Sequence, residues 1–166
     1  MIVFDSSTLV LLSKIELLDT ILTNYTKEIT ISESVEKEST IKKTFDGLLI
    51  KKRIEENKIK VIIIQDKKTK KLMEDFNINI GEAESIILAL KNKQSILATD
   101  DKTAINACKL LNIPFTTAIN ILIEAKENNF LTKEETNIKL DKLSVYGRYK
   151  KEIIEDAKRR IKCKKL

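Results

Sequence analysis

The chain has no histidine and no tryptophan, and its 166 residues include only one proline, three glycines and two cysteines. Without histidine, Ser-His-Asp and Cys-His nucleophiles are excluded, and so are histidine-ligated zinc and haem. Cys108 and Cys163 stand far apart with no CxxC spacing, which indicates neither a disulfide framework nor a thiolate zinc site. Cys108 falls among apolar positions of a predicted helix and reads as a small buried core residue. Carboxylates, Lys, Ser/Thr and Tyr remain for chemistry, and a carboxylate-only site suits hard cations such as Mg²⁺ or Mn²⁺. Scarce glycine and proline predict short loops and plentiful helices. No run approaches the roughly 20 apolar residues of a membrane span. The opening MIVFDSST has neither a basic start nor a long apolar run, so no signal peptide is expected and the predicted location is the cytoplasm.

Apolar residues make up 42% of the chain, with many Ile and Leu, in a length usual for one domain with a real core. The net charge of +6 is uneven: residues 148–166 hold nine Lys/Arg and three Asp/Glu, leaving 22 of each sign elsewhere. A basic tail on a neutral body points to an anionic partner, with nucleic acid first; a solvated helix face explains the tail equally well.

Met1 to Phe4 is a short apolar run closed by Asp5 and predicts a buried strand, with Ser6, Ser7 and Thr8 offering caps for the helix that follows. Ile15 to Leu22 predicts a second short helix. Glu28 to Ile31 is β-leaning, Ser32 is a cap, and one long polar helix is expected over Glu33–Asn57 with Gly47 as its weak point. KVIIIQ (Lys60–Gln65) is a strand. Lys67–Phe76 predicts a helix, and another runs from Gly81 to Lys91. SILAT (Ser95–Thr99) is a strand ending on Asp100-Asp101. Then come a helix over Lys102–Leu111, a short strand over Ile113–Thr116, and helices over Ala118–Asn128, Lys133–Leu143 and Val145–Lys162. Such alternation calls for a mainly parallel sheet with helices on both faces. The expected organisation is an α/β domain over residues 1–130 and a basic helical extension, 131–166, packed on the same domain.

Asp5, Glu82 and the Asp100-Asp101 pair fall at strand ends or at the start of the next helix, the edge where parallel sheets bind ligands. Carboxylates gathered in one crevice repel one another unless a cation sits between them, so the pattern predicts that they meet around a divalent metal. Each has a plainer role: Asp5 or Asp100 as a helix cap, Asp101 as a solvated first-turn residue, and Glu82 as a complement to its helix dipole. Glu38 lies mid-helix in a charged EKE stretch and reads alone as ordinary surface.

Four stretches together resemble the PIN domains, a family of metal-dependent ribonucleases. IVFDSSTLVLLSKI resembles the family's first motif, an Asp closing strand one with Ser/Thr after it. ITISESVEKE resembles the second, which leads to Glu38. GEAESIILALKNKQSILATDDKTAINACKLLNI resembles the third and fourth, an acid opening a helix and a strand ending in Thr and Asp. The GEAE form, the DD pair and the helix TTAINILIEAKENNFLT are most similar to the branch that includes VapC-type toxins. The resemblance covers roughly residues 1–130. It implies a three-layer α/β/α fold with a central, mainly parallel sheet. It also implies hydrolysis of RNA phosphodiesters with Mg²⁺ or Mn²⁺ held by Asp5, Glu82, Asp100 and Asp101, with Glu38 positioning or deprotonating the water. Register favours Glu82 over Glu84, and Asp100 stands slightly ahead of Asp101. Ser6, Ser7 and Thr99 would orient the carboxylates, and Lys158, Arg159 and Arg160 would track the RNA backbone. The toxin branch further implies a small antitoxin partner that blocks the crevice, and a homodimer. Two readings compete. A haloacid-dehalogenase-type phosphatase needs a second acid where Ser7 stands; a non-catalytic PIN fold that binds nucleic acid or serves assembly would fill the same positions without turnover.

Overall fold

Ile2 and Phe4 point to one side of strand β1 (Ile2–Phe4) and Val3 to the other, and all three are buried. A strand buried on both faces belongs in the middle of a parallel sheet covered by helices on each side. The computed structural model describes residues 1–162 and shows that arrangement; the end of the predicted extension, 163–166 with Cys163, lies outside the described residues. Strands β2 (Ile29–Ser32), β3 (Lys60–Ile62), β4 (Ile96–Ala98) and β5 (Phe115–Thr116) complete a five-stranded, all-parallel sheet in the order β3-β2-β1-β4-β5.

The side of Ile2 and Phe4 is covered by α1 (Ser6–Lys14), α2 (Leu18–Asn24), α4 (Phe45–Glu55), α8 (Ala118–Glu127), α9 (Lys133–Tyr146) and α10 (Lys151–Lys162). The side of Val3 and Leu97 is covered by α5 (Lys68–Phe76), α6 (Ile80–Lys91) and α7 (Lys102–Leu110). Helix α3 (Glu33–Thr40) follows β2 and buries Val35 in the first core. The fold is therefore a three-layer α/β/α sandwich. Leu140, Leu143, Ala157 and Ile161 of α9 and α10 are at most 1% exposed and share one core with the sheet. Lys139 Nζ donates to the carbonyls of Ile15 (3.0 Å) and Glu16 (2.9 Å), covering the open end of α1.

Four expected boundaries move. The last helix, expected from Val145, starts at Lys151, because α9 runs on to Tyr146 and residues 147–150 form a loop. The single helix over 33–57 is two, because the chain leaves helical order after Thr40 and re-enters at Phe45. Gly47 is not the break but the reason the second piece can fold back: a methyl group there would overlap the Lys42 carbonyl. The strand expected to Gln65 stops at Ile62, since this edge strand has β2 on one side only and Ile63 is 65% exposed. The helix expected to start at Ile15 starts at Leu18, after Glu16 takes a left-handed backbone (φ 58°).

Candidate functional site

The strand order reverses at β1, which has β2 on one side and β4 on the other. A crevice opens beyond the carboxyl ends of such neighbours, and the elements leaving them carry the acids. Asp5 follows β1, Thr99-Asp100-Asp101 follow β4, Glu38 rides on α3 after β2, and Glu82 sits in the first turn of α6. The crevice holds about 770 Å³ and is lined by Glu38, Glu82, Asp100 and Asp101 among others.

Asp5 is buried, 1% exposed, and does not itself line the crevice; its neighbours Ser6 and Ser7 do. Its Oδ1 accepts from Ser6 N at 2.7 Å, and its Oδ2 accepts from Ser7 Oγ (2.8 Å) and Thr99 Oγ1 (2.9 Å). Burial nonetheless holds the Asp5 carboxyl above its ordinary value, with the charge of Glu38 adding to the rise against these hydrogen bonds. Glu82 is pushed up to about 7, first by burial and then by the charges of Asp101, Asp5 and Glu38, against a hydrogen bond from Asn79. Glu82 thus feels the charges of Asp101, Asp5 and Glu38, and Asp5 that of Glu38. None of them, nor Asp100, forms an ion pair within the described residues.

The local roles sort the candidates. Asp101, not Asp100, caps α7: its Oδ1 accepts from Thr103 N (2.7 Å) and Ala104 N (2.9 Å), while its Oδ2 has no hydrogen bond among the described residues. Both oxygens of Asp100 are engaged, Oδ2 by Thr8 Oγ1 (2.6 Å) and Ala118 N (2.9 Å), Oδ1 by the Tyr149 hydroxyl. Burial and the neighbouring Asp100 charge hold the Tyr149 phenol well above its usual range, so it remains a donor. Glu82 closes a capping box with Asn79, accepting from its N and Nδ2 at 3.1 Å each. Glu84 turns away, is 6% exposed and accepts from Ser34 N at 3.3 Å at the start of α3. Gly81 leaves room for Glu38: a Cβ there would lie 3.2 Å from Glu38 Oε2.

A carboxylate-lined crevice at the switch point of a parallel sheet is one half of the case; the other is a match over the whole described chain. Family DUF3368, PIN domain, matches residues 1–162. The chain belongs to the PIN-domain family. Neither the curated proteins nor the solved structures contain a match. PIN domains as a class are nucleases, hydrolases of phosphodiester bonds.

In this PIN domain the donor set suits a hard divalent cation: every candidate ligand atom is a carboxylate or hydroxyl oxygen, and the coupled carboxylates have no paired cation. The expectation that the acids meet is corrected in one respect. Glu38, Glu82, Asp100 and Asp101 line one crevice while Asp5 is buried behind Ser6 and Ser7, and among the described residues no three acids stand close enough to form a ready-made metal cage. Ser6, Ser7 and Thr99 do hold Asp5, and Ser7 Oγ also accepts from Asp100 N at 3.0 Å. The basic residues predicted for RNA stand elsewhere. Lys158 pairs with Asp141 (3.5 Å), Arg159 with Asp156 (3.1 Å), and Arg160 donates to Asn120 Oδ1 (3.1 Å). None of the three lines the crevice; Lys14, Lys42 and Arg148 do. Those cations and Tyr149 escaped the sequence reading, because no local pattern ties residue 149 to residue 100. Thr8 was legible as the last of the SST run, though only as a helix cap.

Proposed function

We propose that this PIN domain is a Mg²⁺- or Mn²⁺-dependent ribonuclease. The observation that carries the reading is the set Glu38, Glu82 and Asp101 lining one crevice beside buried Asp5 at the sheet's switch point, none of them ion-paired among the described residues. Asp5, Glu82 and Asp101 would hold the cation, Asp101 through the Oδ2 that has no hydrogen bond among the described residues, with Asp100 alongside. A bound ion would neutralise the scissile phosphate and acidify the attacking water. Glu38, exposed and without a hydrogen bond among the described residues, orients that water or takes its proton. Ser7 and Thr99 donate to Asp5 Oδ2 and aim it, working against the rise that burial imposes, and Thr8 and Tyr149 fix Asp100. Replacing Asp5 by Asn should abolish Mn²⁺-dependent cleavage of RNA and leave the circular dichroism spectrum unchanged; cleavage at the wild-type rate would overturn the reading.

The open spacing of the acids favours a second reading, a PIN fold that binds nucleic acid without cutting it. Calorimetric titration separates the two: a catalytic site binds Mn²⁺ in wild type and loses it in Asp5→Asn, whereas a non-catalytic one shows no difference. The finer reading, a VapC-like toxin acting as a homodimer and held by an antitoxin segment over the crevice, rests on the GEAE and DD resemblance. A neighbouring reading frame for a small protein that co-purifies with this chain and stops cleavage would support it. No described helix is long and apolar enough to cross a membrane.

A further inference from the structure

The residues between α9 and α10 make a tightly pinned loop. Gly147 N donates to Leu143 O at 2.8 Å, finishing α9. The Tyr149 ring lies so close over Gly147 that a methyl group there would overlap it, and the Tyr149 hydroxyl donates to Asp100 Oδ1. Arg148 stands between these two fixed neighbours, exposed and on the crevice wall. Lys14 joins the same wall, its Nζ 5.7 Å from the centre of the Tyr146 ring, and Lys42 completes it from the α3–α4 connection. Within the described residues none of these three cations is ion-paired, although Glu38, Glu82, Asp100 and Asp101 share the crevice.

We propose that Arg148, with Lys14 and Lys42, grips the phosphate backbone of single-stranded RNA at the crevice, and that Tyr149 is the positioning residue that sets Arg148 there. The choice of RNA rests on the ribonuclease reading; the grip itself does not require cutting. A side chain held between two anchored residues loses less freedom on binding than one on an open helix face, and guanidinium suits phosphate bidentately. Lys158, Arg159 and Arg160 of α10, by contrast, meet carboxylates or Asn120 and do not line the crevice. The C-terminal extension would therefore serve substrate binding through its first loop and not through its basic last helix.

The test is anisotropy of a labelled oligouridylate with the full chain in EDTA across a salt series. Arg148→Ala should weaken binding several-fold and reduce the slope of log K against log salt by about 0.7, the share of one phosphate contact on a single strand. Lys14→Ala with Lys42→Ala should reduce it by about twice that. Lys158→Ala/Arg159→Ala/Arg160→Ala should bind as wild type. Tyr149→Phe should weaken binding in the wild-type background and add nothing once Arg148 is Ala, since it acts through that residue; an additive loss would remove Tyr149 from the proposal. Wild-type affinity in Arg148→Ala, loss carried by the α10 triple variant, or no RNA binding by the wild type would each overturn the grip. The two readings fail separately. A chain that grips RNA but never cuts it with Mn²⁺ overturns the ribonuclease alone, and one that cuts while Arg148→Ala binds normally overturns the grip alone.

Discussion

Thr99 Oγ1 donates a hydrogen bond to Asp5 Oδ2 at 2.9 Å across 94 residues of sequence, and accepts one from Asp101 N at 3.2 Å. One buried hydroxyl thus ties the end of β1 to the end of β4. Thr99→Val keeps the shape and removes both bonds, so urea unfolding should show a loss of about 1–3 kcal/mol, the cost of leaving buried polar groups unpaired. Thr99→Ser should recover most of it. Equal stability of the Val and Ser variants would mean that the hydroxyl contributes nothing.

The contact between Gly81 and Glu38 predicts a separation of activity from stability. Gly81→Ala improves helix propensity by up to about 1 kcal/mol but places a methyl 3.2 Å from Glu38 Oε2. We expect thermal stability to change little while metal-dependent cleavage falls at least several-fold as Glu38 is pushed aside. Undiminished cleavage would show that the position of Glu38 is immaterial.

Glu82 makes the metal-free protein sensitive to pH. Its carboxyl titrates near 7 in the folded chain against an ordinary 4.5, mainly through burial. Between those values the folded state keeps a proton that the unfolded chain has released, so stability falls as pH rises through that window and levels off above 7. Below about 4.5 both states are protonated and the penalty is absent. Asp5, also raised by burial, adds to the same trend. Glu82→Gln should shrink, without abolishing, the decline measured by denaturation in EDTA from pH 5 to 7; an unchanged decline would refute the assignment.

The extension should not unfold separately. Leu143 is fully buried in the core shared with β1, so Leu143→Ala should cost about 2–5 kcal/mol. The loss should appear in one cooperative transition, followed by both circular dichroism and the fluorescence of a probe placed on α5. Two separated transitions would mark residues 131–162 as an independent unit.

Much of this was legible in the residues. The run IVFD showed a buried strand closed by an acid, and SILATDD showed a second strand ending on acids. Together they located the crevice before any geometry. What could not be read is how each acid is turned. Asp100 and Asp101 are adjacent and chemically alike, yet only Asp101 meets the free N–H groups of α7, while Asp100 meets Thr8, Ala118 and Tyr149, distant in sequence. Glu82 and Glu84 differ likewise by two positions on a helix, about 200° around its axis, which sends one to the crevice and the other to α3. The false weak point at Gly47 came from treating glycine as a helix breaker; the structure uses it for a close approach to the backbone of Lys42.

The order of strands in space also governs when the crevice can exist. β1 is the middle of the sheet, but its partner β4 lies more than ninety residues further along the chain. A growing polypeptide presents Asp5 long before Thr99 or Asp101 has been made, and the Arg148 loop comes later still. Distant pairings of this kind form only after the intervening chain has been ordered. A half-made copy therefore holds its first acid only through Ser6 and Ser7, its near neighbours, and the crevice is assembled once β4 and the loop of Arg148 have joined the sheet.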